Sequence, residues 1–261
     1  MGNITIDING DCNLNCKFCY QLLEGSQLST ENILSFIDDH PLLQTVEIGG
    51  GEPFMYENFS ELITKITGNN GKKVHIATNG TFIPKGFLDL ENKIREAVQV
   101  QVSLHASNPM LYEQITGKNK FEKVIENTKK LHERYSTSLT AAIYSENYND
   151  VENIVDLADS LQIPLRINLV FPVGKGKDVV LLNEKQVDQL RGYLLGKRLV
   201  YKMQGKASML ESPLIHTNNC TAITQAYGIL KSGSCPADCK KKAHITPYGK
   251  VSSCEFLNVS S

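Results

Sequence analysis

A chain of 261 residues with 41% apolar content can bury a sizeable core as one large domain with a small appendage, which argues against two equal domains. Its formal net charge of −1 and pI near 6.6 exclude a global field that would draw nucleic acid or an anionic membrane. No run approaches the roughly 18 apolar residues of a membrane span, so function must rest on local sites.

The opening stretch, MGNITIDINGDCN, lacks the basic segment and apolar run of a secretory signal, and the expected address is the cytoplasm. In that reducing compartment seven cysteines read as thiols or metal ligands rather than disulfides. Their odd number excludes complete pairing, and they fall in two groups, at 12, 16 and 19 and at 220, 235, 239 and 254. Along the chain, short β-branched runs alternate with longer amphipathic segments, the signature of a parallel βα sheet. The predicted strands are ITIDI (4–8), TVEIG (45–49), KVHIATN (73–79), VQVQVSLHA (98–106), SLTAAIY (138–144) and PLRINLVF (164–171). Between them TENILSFIDDH, FSELITKITG, FLDLENKIREA, FEKVIENTKKLHERY and DVENIVDLADSL carry apolar residues at helical spacing, and a further helix is predicted over 183–195. Right-handed βα winding stacks such helices on the sheet.

The strands alternate in polarity. One face takes residues such as Ile4, Ile6, Val46, Ile48, Val100 and Leu139; the other takes Thr5, Asp7, Glu47, His75, Asn79, Gln99, Gln101, Ser103, His105, Thr140, Tyr144, Arg166 and Asn168. Strands of an open doubly wound sheet tend to be apolar on both faces. A rolled sheet with helices outside and a polar, ligand-sized interior fits better, and six strands are too few for a closed eight-stranded barrel. The expected fold is therefore α/β: a partial (β/α)6 TIM-type barrel over residues 1–180, then a helix and a small cysteine-rich extension with a β-hairpin over 181–261. An ordinary sheet with one solvated face is the alternative.

Cys12, Cys16 and Cys19 form C-x3-C-x-Phe-C just after the first strand, where a barrel of this kind carries its active-site loops. Three thiolates satisfy three irons of a four-iron cluster and leave the fourth open to a ligand. Zinc is the rival, but structural zinc takes a fourth Cys or His at short spacing, and Asn13, Asn15, Lys17 and Tyr20 offer none. The loop resembles the C-x3-C-x-aromatic-C that defines the radical S-adenosylmethionine (SAM) superfamily. GGGEP at 49–53, TNG at 78–80 and VSLHA at 102–106 stand in family-like places, although singly each reads as a turn or a strand end. The resemblance implies a 4Fe-4S cluster on Cys12, Cys16 and Cys19, Phe18 near the adenine of SAM, and Gly50, Gly51 and Glu52 at its amino end. It also implies Ser103 near the ribose or carboxylate. Asn79, Arg166 and Asn168 share the polar face and are further cofactor-site candidates, with packing or hydrogen bonding as their plainer roles; the same holds for His105. AAIYSEN lacks the glycines of the family's fifth-strand adenine motif, so no residue is assigned there. The implied chemistry is reductive cleavage of SAM to a 5′-deoxyadenosyl radical that abstracts a hydrogen atom from a substrate, the electron coming from a partner such as flavodoxin or ferredoxin.

FPVGKGK at 171–177 and Cys235-x13-Gly249-x4-Cys254, with ITPYGKVSSC, resemble the opening of the SPASM and twitch extensions of such enzymes. A full SPASM region has further cysteines downstream, whereas the sequence runs seven residues past Cys254. Either Cys220 and Cys239 complete a four-thiolate site with Cys235 and Cys254, or the site is incomplete. A second, auxiliary 4Fe-4S cluster, zinc and unligated thiols are the three readings. The basic run at 240–242 reads as a solvated face. By analogy the expected enzyme acts on a peptide or protein side chain; a small-molecule dehydrogenase or cyclase and a non-catalytic iron–sulfur carrier or sensor are the alternatives. A sensor would need neither GGGEP nor a polar lumen. No segment ahead of the first strand could house a separate leader-binding module, so a peptide substrate is expected to need a partner or a direct groove.

Overall fold

The computed structural model describes residues 2–21, 25–68, 71–211, 243–249 and 251–252. Six parallel strands follow one another in chain order: β1 (Asn3–Asp7), β2 (Thr45–Gly49), β3 (Lys73–Thr78), β4 (Val98–Ser103), β5 (Ser136–Ile143) and β6 (Leu165–Leu169). Strict alternation makes each strand two-faced. Ile4, Ile6, Val46, Ile48, Val74 and Ile76 are 1% exposed or less beneath the helices, and the polar residues between them point into the curve of the sheet. The helices are α1 (Thr30–Asp38), α2 (Phe59–Gly68), α3 (Asn92–Glu96), α4 (Pro109–Thr116), α5 (Phe121–His132), α6 (Val151–Leu161) and α7 (Glu184–Met203).

Three helices differ from expectation. The segment predicted as one helix over FLDLENKIREA is a 3-10 turn, Phe87–Asp89, followed by the short α3. Leu90 between them is extended (ψ 147°), and the buried Tyr135 hydroxyl donates to the Phe87 carbonyl that a continuous helix would have used. Helix α4 is absent from the sequence reading because its eight residues span barely two turns; Asn108 caps it by accepting from Leu111 N (3.0 Å), with Pro109 in its first turn. Helix α7 begins with a capping box of Asn183 and Gln186 and runs to Met203 rather than ending at 195.

The described part of the C-terminal extension flanks the six strands at both edges. β7 (Leu210–Glu211) pairs with β6, and β8 (Ala243–Ile245) pairs in parallel with β1. β9 (Val251–Ser252) returns antiparallel to β8, the predicted hairpin. Its turn closes through Gly249 N, which donates to Thr246 O (2.9 Å), and Gly249 has φ 76°, a value that favours glycine. Among the described residues the result is one nine-stranded sheet, β7-β6-β5-β4-β3-β2-β1-β8-β9, which does not close, as a partial barrel requires. Cys220, Cys235, Cys239 and Cys254 lie outside the described residues.

Candidate active site

The concave face of the sheet encloses a lumen of about 670 Å³. Among the residues predicted for the polar face, Asp7, Glu47, His75, Gln101, Thr140, Arg166 and Asn168 line it, with Ser103, His105 and Asn79 nearer the mouth. Tyr144 does not. It lies just past β5, buried in the apolar core, and its hydroxyl donates to Glu146 Oε2 (2.6 Å).

Cys12, Cys16 and Cys19 stand at the mouth on a loop held at both sides by backbone hydrogen bonds. Asn15 N and Lys17 N donate to the Thr116 and Ile115 carbonyls at the C-terminal end of α4 (2.9 and 3.0 Å), and Lys175 N donates to Cys19 O (2.9 Å). The loop thus supplies donors to carbonyls that the helix end leaves open. The three thiols are free and half-buried. Burial pushes Cys16 up to about 12, with repulsion from Cys19 and Cys12 adding to it, and burial likewise raises Cys12 and Cys19. Metal ligation must therefore draw protons off all three. Three free thiols on one loop, all lining the same lumen, fit a polynuclear cluster that takes one thiolate per iron.

GGGEP packs directly on the start of that loop. Gly51 N donates to Asn9 O (2.8 Å) and Glu52 N to Asp11 O (2.7 Å). A Cβ at Gly50 would lie 2.4 Å from Asn9 O, and one at Gly51 would lie 2.1 Å from Asp11 O, so both glycines are required by this backbone contact alone. Glu52 is 1% exposed and lines the lumen. Its Oε1 accepts from Phe54 N (3.0 Å) and Thr78 Oγ1 (2.6 Å), and its Oε2 accepts from Asn79 N (2.7 Å). Burial pushes the carboxyl up to about 7, against the pull of those three donors. A cationic or N–H group arriving from the lumen would add a donor and favour the ionised form.

TNG proves to be a strap on the cysteine loop. Asn79 Nδ2 donates to Asn13 Oδ1 (2.8 Å) and reaches Cys12 Sγ (3.7 Å), while its Oδ1 accepts from Thr81 N (2.9 Å). Asn79 is thus committed to the loop. Phe18 meets His105 edge-on, with ring centroids 4.8 Å apart, and Tyr144 at 5.6 Å. Burial lowers His105 to about 4, and Ala142 N donates to its Nδ1 (3.1 Å), so the ring is neutral and carries its proton on Nε2. Asn168 Nδ2 donates to Thr140 Oγ1 (3.1 Å), and Arg166 pairs with Glu211 at 3.4 Å on the far side of the lumen.

The sequence marks Thr78 only as part of TNG and Asn13 only as no ligand for zinc, and it leaves Thr81 unmarked, since nothing in a periodic pattern distinguishes a strap from a strand end. His244 of β8 is unmarked too; its Nε2 lies 2.7 Å from Asp7 Oδ2, an oxygen that also accepts from Gln21 Nε2 (2.8 Å). Its only sequence signal is its place in the hairpin.

A rolled parallel sheet with three thiols, a buried carboxylate and a polar lumen at the C-terminal ends of its strands defines a class of cluster-dependent half-barrel. The chain belongs to the radical SAM superfamily, whose profile matches residues 6–158. Membership implies a 4Fe-4S cluster and SAM. Similar proteins include the "Probable GTP 3′,8-cyclase" of Sulfolobus acidocaldarius, 29% identical over 67% of the chain and 58% of that protein. The mycofactocin maturase MftC of Mycolicibacterium smegmatis is 26% identical over 97% of the chain and 64% of that protein. In fold the chain is similar to Streptococcus suis SuiB bound to precursor peptide SuiA, with a TM-score of 0.76, 19% identity, and coverage of 99% of this chain and 61% of that one. The chain thus spans about three fifths of the length of these proteins. Among the described residues no helix is long and apolar enough to cross a membrane.

Proposed function

We infer that this chain reductively cleaves SAM and uses the result to remove a hydrogen atom from a peptide or protein side chain. The observation that carries the reading is the meeting of three free thiols with a buried carboxylate at the mouth of a polar lumen. Cys12, Cys16 and Cys19 would hold the cluster. A cluster and SAM bound there supply one-electron cleavage of the sulfonium carbon–sulfur bond and hydrogen-atom abstraction. The residues of the chain bind and orient. Glu52, aimed by Phe54 N, Thr78 and Asn79, receives the amino end of SAM; Gly50 and Gly51 let its loop sit flush on residues 9–11; Phe18, backed by His105, offers an apolar face to the adenine. Ser103 faces the same space for the ribose or carboxylate. Arg166 and Asn168, across the lumen, are better placed to meet substrate than the amino end. The sheet and its helices exclude bulk water from the reacting centre.

Peptide maturation is favoured by relatives named as a mycofactocin maturase and as the bacteriocin biosynthesis protein AlbA of Bacillus subtilis, and by the fold shared with SuiB. The GTP cyclase relatives favour a second reading, a small-molecule cyclase. An auxiliary 4Fe-4S cluster on Cys220, Cys235, Cys239 and Cys254, within a region of its own after residue 180, belongs to the proposal; support comes from their spacing and from the β8–β9 hairpin that ends two residues before Cys254. A low-potential donor such as flavodoxin or ferredoxin would deliver the electron. Anaerobically reconstituted protein, given a strong reductant and SAM, should form 5′-deoxyadenosine and methionine. No cleavage in protein with intact clusters would leave the electron-carrier reading standing.

A further inference from the structure

One side chain carries the C-terminal hairpin into the site. β8 pairs in parallel with β1, with Thr5 opposite His244, so the His244 side chain falls on the same inner face as Thr5 and Asp7. Its Nε2 lies 2.7 Å from Asp7 Oδ2, and both side chains are only 5% exposed. Facing a carboxylate, Nε2 is the nitrogen that carries the hydrogen. Nδ1 is buried and, among the described residues, makes no hydrogen bond. An apolar side chain at this position would allow the same backbone pairing with β1 and would leave no nitrogen unmatched. The imidazole is explained by Asp7 rather than by the packing of the hairpin.

Asp7 in turn holds the end of the cysteine loop. The same Oδ2 accepts from Gln21 Nε2 (2.8 Å), and the Gln21 carbonyl accepts from the Cys19 thiol (3.8 Å). Its Oδ1 lies over Gly49, where a Cβ would come within 2.8 Å of it. One oxygen of Asp7 therefore rests on the first glycine of GGGEP, and the other is shared between the hairpin and the end of the loop. Without the imidazole, the carboxylate would keep only the donor from Gln21 and could turn toward the lumen that it lines. The start of the loop has separate supports, in Asn79 at Cys12 and in Glu52 N, which donates to Asp11 O.

We propose that His244 is a positioning residue of the cluster site: through Asp7 and Gln21 it fixes the segment that carries Cys19. A hairpin outside the stretch matched by the superfamily profile, residues 6–158, thus helps to hold the loop on which the cluster would sit. His244 acts through its neighbours and is not catalytic. The inference rests on the reading of Cys12, Cys16 and Cys19 as cluster ligands, and iron uptake by the wild type tests that reading separately.

The test is alkylation of the iron-free full chain with iodoacetamide, read at each cysteine by mass spectrometry. His244→Leu should speed modification of Cys19 by about tenfold, because loss of a hydrogen bond to a charged group shifts local opening by that order. Cys12, at the other end of the loop, should change by less than about twofold. Gln21→Ala should also speed modification of Cys19, and the double variant should be no faster than the faster single one, because both side chains act through one carboxylate oxygen. His244→Gln places an amide nitrogen as many bonds from the backbone as the imidazole Nε2, and should restore the wild-type rate. In reconstituted protein, a chelator should bleach the signal of the cluster on Cys12, Cys16 and Cys19 faster in His244→Leu than in His244→Gln. A Cys19 rate unchanged in His244→Leu, or raised equally at all three cysteines, would overturn the proposal. So would additive effects in the double variant, or a His244→Gln chain that behaves as His244→Leu does. Should His244→Leu fail to fold, Gln21→Ala and His244→Gln decide, and an unchanged Cys19 rate in Gln21→Ala or a raised one in His244→Gln would overturn it.

Discussion

At the β1–β3 side of the mouth, Glu52 is 1% exposed and takes three hydrogen bonds, and Asn79 ties the cysteine loop to the end of β3. At the β5–β6 side, Arg166 reaches Glu211 at 3.4 Å with 47% and 65% of their side chains exposed, and Asn168 makes a hydrogen bond to Thr140. The first side is pre-set, so a ligand arriving there meets groups already oriented. The second side still has solvent to displace and side chains to order. On the proposed function, cofactor recognition would fall to the rigid side and substrate choice to the open one.

The largest effect expected on that contrast comes from replacing Cys12, Cys16 and Cys19 together by alanine. SAM cleavage should become undetectable, while roughly four irons per chain should remain if Cys220, Cys235, Cys239 and Cys254 hold an auxiliary cluster. Complete loss of iron, measured by chemical analysis, would remove the auxiliary cluster from the proposal.

Glu52→Ala tests the rigid side through stability as well as binding. The substitution strips an acceptor from Phe54 N, Thr78 Oγ1 and Asn79 N. Unmatched buried donors cost ~1–3 kcal/mol each, partly offset here because a buried carboxylate is removed. A loss of ~2–4 kcal/mol in denaturant melts of the iron-free protein is expected, beside weaker SAM binding. Glu52→Gln should be intermediate, because its amide can still accept at one end but faces Asn79 N with a donor at the other. A variant as stable as wild type would show that the three hydrogen bonds are not a strained carboxylate's anchors.

A smaller effect follows from the same carboxyl. Its folded value near 7 stands above the ordinary 4.5, so its contribution to stability is fully present below pH 4.5 and is lost as pH rises to about 7. The iron-free protein should lose ~3 kcal/mol from this group between those limits and little more above them. If Glu52 receives SAM as proposed, SAM affinity should run the opposite way, improving toward pH 7 as Glu52 ionises. Calorimetry in two buffers of different ionisation enthalpy would detect the accompanying proton release. Arg166→Ala should do least. An exposed pair contributes under ~1 kcal/mol, so stability and SAM affinity should hardly change, and only turnover of substrate should respond. A large fall in SAM affinity would move Arg166 to the cofactor side.

The two sides were not equally legible in the sequence. Period-two alternation was enough to place Thr140, Arg166 and Asn168 on the inner face and Ile4, Val46 and Leu139 on the outer, because side-chain direction in a strand is fixed by backbone geometry. Spacing was enough to group the three cysteines. Neither could show that Gly50 and Gly51 are bare because the backbone of residues 9–11 lies against them, or that Asn79 is committed to Asn13 and Thr81. Those facts depend on how two loops from different strands meet. Helix α4 was lost for a related reason: it is too short to show a period, and its use lies in the carbonyls it offers to the cysteine loop. His244 reaches Asp7 across 237 positions of sequence, a contact that only the parallel pairing of β8 with β1 creates.

The most direct measurement is electron paramagnetic resonance of the reduced, reconstituted protein before and after SAM is added, followed by analysis of the products. The signal assigned to Cys12, Cys16 and Cys19 should change on addition, the change should be weakened by Glu52→Ala, and 5′-deoxyadenosine should accumulate. A wild-type signal indifferent to SAM, with no 5′-deoxyadenosine formed from an intact cluster, would contradict the assignment of this mouth as the place where SAM is bound and cleaved.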